Sequence, residues 1–558
     1  MTENTNELVY LALGGAGEIG MNCYLYGLGD PTDREWIMVD LGIGFGDMET
    51  SPGVELVLPD IDFIARQHQR LRGIFITHAH EDHIGAIPHL WERLRTPIYA
   101  RAFTAEVIRR KLAETEIDPG VVNVVGIDQP IPAGQFEVSF LPITHSIPEA
   151  SMLSIRTPKG VVVHSGDFKL DPAPQMGDPV DLAAYRKLGE EGVLAFACDS
   201  TNVFLEGESR SEAQIVDSLK RVISEAKGAV AATTFASNVA RLRTLALAAQ
   251  ECGRSIVVAG RAMRRMIEVA VETGLLTDFP KVVREDDAEA IPRENLFYLV
   301  TGSQGEGRAA VARIAQGSHP TVKLREGDTV LFSSKTIPGN EAAIYRLYNR
   351  LSEQGVRVID GEMETIHVSG HARRGDLERM LGILKPKVSL PIHGEHRHLV
   401  EHADWAEKWG AQPVVAPNGS VARLDGNRPE VVEYIETGRV YLDGIAHVGA
   451  FDGVIRERLK MARQGHVVVS IVIDEEGELI ADPQVKCLGA PRDGEAWSAP
   501  LDEMLMNAID DAIERTPAKA KRSDQSVEDL VNRAIRSVTN TSWGKKPVTT
   551  VLITRLED

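Results

Sequence analysis

Short apolar runs recur along the first 200 residues, and each stops at a glycine or at a polar or charged residue. They read LVYLALGG, NCYLYGL, EWIMVDLG, RGIFITHAH, GVVVHSGD and GVLAFACDST. Runs of this length that end in turn residues predict buried strands. Because several of them end in histidine or aspartate, the pattern predicts an open α/β or αββα sheet with a site along one edge.

A second pattern follows between about residues 210 and 350, where helical and strand-like segments alternate. The helical AQIVDSLKRVISEAK precedes the strand-like GAVAATTF, and the helical NVARLRTLALAAQECG precedes SIVVAG. Such βα alternation predicts a parallel sheet covered by helices. Another strand that ends in histidine, VSLPIHGEHR, comes later.

Beyond about residue 460 the pattern changes again. HVVVSIVIDEEGELI predicts a hairpin that turns around Glu475, Glu476 and Gly477, and PVTTVLITRL predicts a closing strand. Two stretches between them have apolar residues at helical spacing, which predicts two helices and a small α+β domain. These positions are Leu501, Met504, Leu505, Ala508, Ile509, Ala512 and Ile513, then Val527, Leu530, Val531, Ala534, Ile535 and Val538.

Composition narrows the class of protein. A chain of 558 residues is too long for one hydrophobic core, so two to four domains are expected. Its four cysteines form no CxxC pair and suggest neither a disulfide framework nor a thiolate metal site. No apolar stretch approaches a membrane span, and the polar start lacks the features of a signal peptide, so we expect a cytoplasmic protein without membrane contact. The net charge of −20 argues against a generally basic nucleic-acid-binding surface.

The segment GAGEIG, from Gly15 to Gly20, matches the spacing of a dinucleotide-binding loop. Such a loop must be followed by a helix whose N-terminus holds the pyrophosphate. The next residues, MNCYLYGL, are strand-like, so a glycine hairpin is the favoured interpretation.

The strongest chemical signal is the segment THAHEDH, which follows a strand. His78 and His80 alternate and can face one metal, while Asp82 and His83 can face a second. Imidazole and carboxylate ligands suit zinc or manganese. His145 and Asp167 end later strands, and an acid in the position of Asp167 would bridge two metals roughly 3.5–4 Å apart.

These motifs resemble the metallo-β-lactamase superfamily. Asp40, the HxHxDH loop, His145 and Asp167 follow in that superfamily's order. The resemblance implies that Asp40 supports the histidine loop without binding metal itself.

The later motifs CDSTN, HVSGHARRGD and LPIHGEHRH resemble the β-CASP nucleases within that superfamily. The resemblance implies that His393 completes the second metal site and that His371, oriented by Asp199, is the general acid. Asp82, Asp199 and His371 are then the expected catalytic residues. The metal ligands implied are His78, His80, Asp82, His83, His145, Asp167 and His393.

Over nearly the whole chain the resemblance is to bacterial ribonucleases of the J type, through ALGGAGEIGMN, FASNVAR, SSKTIPGNE and the C-terminal α+β domain. It implies 5′→3′ exoribonuclease and endoribonuclease activity in mRNA decay and rRNA maturation, by a two-metal hydroxide mechanism. The cofactors implied are two zinc ions per subunit, with manganese as an alternative, and a calcium ion for which Asp47, Glu49 and Asp443 are candidates. Expected partners are single-stranded RNA with a 5′-monophosphate, further copies in a homodimer or homotetramer, and an RNA-decay complex. The residues expected at the RNA phosphates are Ser237, Asn238, His367, Val368, Ser369, Gly370 and His371.

The predicted fold is therefore an αββα metallo-β-lactamase sandwich with an inserted β-CASP domain. The boundaries expected are residues 1–208 for the first part of the core, 209–351 for the insertion, 352–455 for the return to the core and 456–558 for the C-terminal domain. Two alternatives stay open. One is a DNA nuclease or small-ester hydrolase of the same fold, and the other is a non-catalytic assembly subunit.

Overall fold

The computed structural model describes residues 6–337, 339–495 and 497–556, so the first five residues of the polar start lie outside it. The chain divides into two compact units. The first comprises the chain up to Gly44 together with Leu58–Arg439, and the second comprises Phe45–Val57 together with the chain from Val440 onward. None of the helices in the described ranges is long and apolar enough to cross a membrane.

Two large sheets in the first unit face each other across one hydrophobic core, which joins Tyr26 of one sheet to Phe140 and Leu390 of the other. The eight-stranded sheet has the order Glu430–Tyr434, Ser420–Arg423, Glu7–Gly14, Cys23–Gly29, Glu35–Val39, Leu71–Phe75, Ile98–Ala100 and Val122–Val124. The seven-stranded sheet has the order Ile131–Ala133, Phe136–Pro142, Ser151–Thr157, Gly160–His164, Val193–Asp199, Val388–Ile392 and Gln412–Pro413.

Helices cover the sheets. His396–Lys408 packs on Val388–Ile392, and Ala102–Leu112 packs on Ile98–Ala100 and Val122–Val124. The other helices of the first unit outside the inserted segment are Asp62–Ala65, Glu81–Ile84, Ile87–Leu94, Leu182–Glu191 and Arg374–Leu384. The predicted αββα sandwich is confirmed.

A third sheet lies between two neighbouring strands of the seven-stranded sheet in the sequence. All its strands are parallel, in the order Val282–Val283, Ser255–Ala259, Leu296–Val300, Val230–Thr233, Thr329–Phe332 and Arg357–Ile359. Its helices are Val216–Glu225, Val239–Glu251, Arg261–Glu272, Ala310–Ala315 and Glu341–Glu353. The βα alternation predicted for this region is confirmed, and the sheet extends past residue 351 through its last strand.

The second unit contains the α+β domain. Its central strand His466–Ile473 pairs antiparallel with Gln484–Leu488 and parallel with Val548–Arg555. Leu501–Glu514 and Asp524–Ser542 are helices whose apolar faces enter the same core, as predicted. The helix Val454–Gln464 precedes them. The predicted hairpin turn around Glu475–Gly477 is confirmed, because the amides of Asp474 and Ile480 donate across it to the carbonyls of Glu478 and Val472. Leu479 pairs with Ile473 there, and the longer partner strand begins at Gln484.

Shorter elements complete the description. A four-stranded sheet has the order Ala446–Gly449, Arg439–Asp443, Leu56–Pro59 and Gly44–Phe45, and Ala16–Gly17 pairs with Gly394–Glu395. Single 3-10 turns occur at His68–Arg70, Pro119–Val121, Glu212–Ile215, Glu285–Ala290, Arg293–Asn295 and Ala518–Ala520.

The GAGEIG segment is the connection of a β-hairpin. It joins Glu7–Gly14 to Cys23–Gly29, which pair antiparallel. Gly15 has φ +83°, and a Cβ there would lie 2.3 Å from the Tyr24 hydroxyl, so glycine is required. Because a strand and not a helix follows, the expectation of a glycine hairpin is confirmed.

Candidate metal centre

The predicted ligands come from strand ends that meet at one edge of the sandwich. The strands Gly160–His164, Val193–Asp199 and Val388–Ile392 are parallel neighbours, so their carboxyl ends lie side by side. Asp167 and His393 follow two of these strands closely, and Asp199 ends the third. The histidine loop follows Leu71–Phe75 in the facing sheet, and His145 follows Phe136–Pro142.

Four of these residues form a first donor group, in which one ligand atom from each lies within 4.8 Å of all the others. His78 Nε2 is 3.0 Å and His145 Nε2 is 3.2 Å from His80 Nδ1. Asp167 Oδ2 is 3.7 Å from His78 Nε2. Three imidazole nitrogens and a carboxylate oxygen therefore converge on one point.

A second donor group shares Asp167 and adds Asp82, His83 and His393. His83 Nε2 is 3.2 Å from Asp167 Oδ2, and His393 Nε2 is 3.3 Å from Asp82 Oδ2. Asp167 Oδ1 is buried and accepts no hydrogen bond from the residues that the structure describes, although His393 Nδ1 lies 3.4 Å away. A buried carboxylate oxygen that accepts no hydrogen bond is costly unless a cation faces it, so these residues fit metal ions, and Asp167 is common to both donor groups.

A third group overlaps the second and consists of Asp167, Asp199, His371 and His393. His371 Nδ1 donates to Asp199 Oδ2 at 2.8 Å and lies 3.9 Å from Asp167 Oδ2. Since Asp199 holds Nδ1, Nε2 is the nitrogen of His371 that remains for a substrate. The orientation of His371 by Asp199 agrees with the role implied by the resemblance.

Hydrogen bonds at the far side of each ring fix how the imidazoles point. His83 Nδ1 donates to Asp40 Oδ2 at 2.7 Å, and Asp40 also accepts from the Thr77 amide and hydroxyl, each at 2.8 Å. His145 Nδ1 donates to the Gly370 carbonyl at 2.7 Å. Partners of this kind set the tautomer that turns the other nitrogen toward a metal. Asp40 thus occupies the supporting position expected from the sequence.

Burial and neighbouring charge shift the pKa of every group in the centre. Burial lowers the pKa of His78 well below its usual value and that of His80 to about 4. Against the effect of burial, the carboxylates, Asp167 first, raise the pKa of His83 well above its usual value and that of His393 to about 10. The same two histidines hold the pKa of Asp167 well below its usual range although burial opposes them. The centre therefore favours the ionised form of Asp82, Asp167 and Asp199, whereas burial raises the pKa of Asp40 behind them.

The predicted phosphate-binding loop adjoins the centre, and its members differ in what they can offer. The Ser369 hydroxyl accepts from Asn202 Nδ2 at 3.0 Å, and His367 Nε2 is buried without a hydrogen-bond partner in the described part of the chain. The side chain of Val368 is buried, and its carbonyl accepts from Arg241 Nη2 at 3.3 Å. Val368 can therefore offer RNA only its backbone, and its place in phosphate binding stays a prediction.

The other two predicted phosphate contacts lie at the start of the helix Val239–Glu251. Asn238 is buried, and its carboxamide oxygen accepts from the Arg241 amide at 2.9 Å, which caps the helix. Ser237 directly precedes it and is partly exposed.

Several residues at the centre were not singled out from the sequence. Asn22 Nδ2 is 2.9 Å from His83 Nε2 and donates to the Asp82 carbonyl at 3.0 Å. The Thr201 hydroxyl is 2.8 Å from His393 Nδ1. Asn22 ends the motif GAGEIGMN, and Thr201 lies inside the motif CDSTN. Both motifs carry the family resemblance, so their polar residues were the signal that the sequence offered.

A basic residue near the loop was also missed. Lys335 belongs to the SSKTIPGNE motif, and its ammonium lies 3.4 Å from Asn202 Oδ1. Burial and Arg373 lower the pKa of Lys335. A cation therefore stands beside Asn202, which itself donates to Ser369 and to the His371 carbonyl.

The three acids suggested for calcium do not form such a centre. Among the described residues, no donor group includes Asp47, Glu49 or Asp443. The Asp47 carboxylate accepts from the backbone amides of Glu49 and Thr50, and Asp443 pairs with Arg458. The calcium hypothesis for these residues stays a prediction.

Comparisons with protein-family models cover most of the chain. Residues 16–260 match the metallo-beta-lactamase superfamily, and residues 227–351 match "Ribonuclease J, beta-CASP domain". Residues 355–417 match "Zn-dependent metallo-hydrolase RNA specificity domain", and residues 453–556 match "Ribonuclease J C-terminal domain". The donor groups together with these matches indicate metal dependence.

Whole-chain relatives agree with the family models. The chain is 45% identical over 554 residues to "Ribonuclease J" of Sinorhizobium meliloti, covering 99% of this chain and 98% of that protein. It is 35% identical to "Ribonuclease J 1" of Streptococcus pyogenes, covering 97% of each. It is 34% identical to "Ribonuclease J" of Thermus thermophilus, covering 92% and 90%. The chain therefore belongs to the ribonuclease J family of metal-dependent ribonucleases.

Proposed function

We propose that this protein hydrolyses single-stranded RNA as a 5′→3′ exoribonuclease that prefers a 5′-monophosphate, and that it also cleaves internally. The observation that carries the proposal is the position of the His367–His371 loop against the two donor groups. His145 and Gly370 join them through a hydrogen bond of 2.7 Å. A phosphate held by the loop would thus have its neighbouring phosphodiester close to the metal ligands.

The proposed metals are two zinc ions, with manganese as the alternative. His78, His80 and His145 would hold one ion, Asp82, His83 and His393 the other, and Asp167 both. When bound, such a pair supplies a water of lowered pKa as nucleophile and offsets the negative charge that develops on the phosphate.

His371 is proposed as the general acid of the reaction. Asp199 accepts the Nδ1 proton at 2.8 Å and so keeps the ring in one orientation. The Nε2 proton can then pass to the departing 3′ oxygen. Protonation at this oxygen leaves a 5′-phosphate on the downstream RNA, which is the end that the next cycle would require. Asp82 serves the same chemistry as a ligand and through its contact with His393.

Recognition of the 5′-phosphate would rest on neutral donors. The Ser369 hydroxyl, the backbone amides of the loop and the buried His367 Nε2 offer hydrogen bonds without a full charge, and Ser237 and Asn238 lie on the adjoining helix start. Amides and hydroxyls of this kind bind phosphate oxygens. Lys335 adds one cation beside them.

At the level of the cell, we propose roles in mRNA decay and rRNA maturation, as a homodimer or homotetramer and within an RNA-decay complex. Support for these roles comes from membership of the family alone.

The deciding experiment compares three substrates that carry a label at the 5′ end: monophosphorylated RNA, its triphosphorylated twin and a DNA copy. Each is incubated with metal-free protein and then with added zinc or manganese. Release of labelled mononucleotide from the monophosphorylated RNA alone is the expected result. The His80→Ala, His83→Ala double variant, which lacks one donor from each group, should be inactive.

Other results would change the proposal in defined ways. Internal fragments from both RNAs would make endonucleolytic cleavage dominant. Cleavage of the DNA copy would favour a DNA nuclease, and no cleavage with either metal would favour an assembly subunit. Activity that survives in the double variant would refute the two-metal assignment.

A further inference from the structure

A stretch of the second unit is basic although the chain as a whole is acidic. Between Leu530 and Pro547 there is no aspartate or glutamate, whereas the whole chain has a net charge of −20. The stretch contains Arg533, Arg536, Lys545 and Lys546. It covers the second half of the helix Asp524–Ser542 and the loop that follows.

The helix turns its cations away from the core. It buries Val527, Val531, Ile535 and Thr539. Positions three and four residues apart share a helix face, and the face opposite the buried one carries both arginines. These arginines and Lys546 line a surface groove of about 390 Å³. The other lining residues are Ser537, Asn540 and Thr541. We call these six residues the basic groove.

The charges of the basic groove are available to a ligand. Arg533, Arg536 and Lys546 are exposed, and none of them has an ion-pair partner among the residues that the structure describes. Elsewhere in the same unit, Arg515 pairs with Asp511 and Arg555 with Asp524. Cations near the end of a helix also interact favourably with its dipole, but that interaction needs neither a groove nor the hydroxyl and amide groups that line it.

An aromatic side chain follows the groove directly. Trp543 lies between Thr541 and Lys546 in the chain, and the Lys545 ammonium stands over its ring at 5.6 Å from the centroid. Proteins that bind single-stranded nucleic acids combine cations with an adjacent aromatic ring, since phosphates pair with the cations and bases stack on the ring.

We propose that the basic groove binds the sugar–phosphate backbone of single-stranded RNA, as a site that contains none of the residues of the metal centre. Arginine forms bidentate hydrogen bonds with phosphate oxygens. The hydroxyl groups of Ser537 and Thr541 and the carboxamide of Asn540 can bind ribose hydroxyls. An acidic peptide would pair with the cations, but it has no use for the adjacent aromatic ring on which a base can stack. The inference rests on the proposed function, since RNA is the proposed substrate.

The test measures binding of the metal-loaded protein to a long phosphorothioate RNA that resists hydrolysis, over a range of salt concentrations. The groove variant is Arg533→Gln, Arg536→Gln, Lys546→Gln. The matched control, Lys486→Gln, Lys519→Gln, Arg522→Gln, removes the same charge from the same unit outside the groove. Each lost phosphate contact lowers the salt slope by about 0.7, so the groove variant should lose about 2 in slope and bind about 10- to 100-fold more weakly. The control should stay within about threefold of the wild type, as expected for charge without contact.

Each outcome bears on the inference. Equal weakening in the two variants would mean that only overall charge matters and would overturn it, as would a groove variant that binds like the wild type. Displacement of the RNA by polyglutamate as readily as by unlabelled RNA would overturn the commitment to RNA. A wild-type protein that neither binds nor cleaves RNA would overturn the proposed function as well, which separates the two failures. If the triple variant unfolds at a lower temperature than the control, Lys546→Glu alone, in the loop, takes its place with the same expected direction.

Discussion

Asp40→Asn tests whether one buried carboxylate sets the affinity of the second metal site. Asp40 is fully buried, and its Oδ2 accepts from both His83 Nδ1 and the Thr77 hydroxyl. Its φ of +60° is a conformation that asparagine tolerates, so the backbone and the shape of the side chain are retained. Because a carboxamide has only one oxygen, one of the groups that now donate to the carboxylate must lose its acceptor.

The structure gives the size of the expected effect. A hydrogen bond to a charged group contributes about 1.5–3 kcal/mol. At 1.4 kcal/mol for each factor of ten, the loss corresponds to an affinity about 10- to 100-fold weaker for one of the two metals. The usual effect of removing such a supporting partner covers the same range. His83 belongs to the second donor group only, so the first proposed site should keep its affinity.

Competition of the protein with a chromophoric chelator for zinc measures both affinities, and RNA hydrolysis at rising free zinc measures the recovery of activity. We expect one weakened site and partial recovery at high zinc. Asp328→Asn is the matched control, since Asp328 is also buried and accepts from the amides of Ala229 and Arg325. Asp328 directly precedes a strand of the inserted sheet and belongs to none of the donor groups. It should lose stability without a change in zinc affinity. Two unchanged zinc affinities in Asp40→Asn would refute the reasoning.

Three further outcomes follow from particular contacts. His371→Ala should slow single-turnover cleavage about 10²- to 10⁴-fold with zinc affinity unchanged, as expected for a general acid; loss of zinc would make the residue a ligand instead. Burial lowers the pKa of His402 to about 4 from its usual 6.5, so the unfolded chain takes up this proton first and stability is lost as the pH falls from about 6.5 to 4. Between pH 7 and pH 5 the free energy of unfolding, measured with denaturant, should fall by about 2 kcal/mol more in the wild type than in His402→Asn. An equal fall in both proteins would contradict the assignment. Arg241→Met should cost about 3–5 kcal/mol of unfolding free energy because Glu212 is left buried without its cation; adding Glu212→Gln should restore part of this, and strictly additive losses would argue against the pairing.

The sequence predicted the parts of the centre that are local. His78 and His80 alternate after a strand, and Asp167 and His393 each follow one, so their chemistry and their place at a sheet edge could be read from short segments. The pairing of parallel strands then brings distant segments together by a general rule. For this reason the residues expected as ligands do lie within reach of one another.

What escaped prediction depends on contacts that leave no local pattern. The acceptor for His145 is the main-chain carbonyl of Gly370, and a carbonyl has no sequence signature. A Cβ on Gly370 would lie 2.7 Å from His145 Cε1, which explains the glycine only once the two segments are seen together. The partners of Asp47 and Asp443 could not be assigned beforehand for a similar reason, since backbone amides and a single arginine have no sequence signature.

The inserted sheet has a consequence for when the centre can exist. Its chain separates Val193–Asp199 from Val388–Ile392, which are neighbouring strands of one sheet. The first donor group is complete once Asp167 has been synthesised, whereas the second waits for His393. Closing so long a loop is a late and slow event in folding. A nascent chain can therefore form only the first donor group until the inserted domain has been synthesised. If the proposed mechanism needs both groups, the growing chain cannot hydrolyse RNA, including the message being translated, before that point.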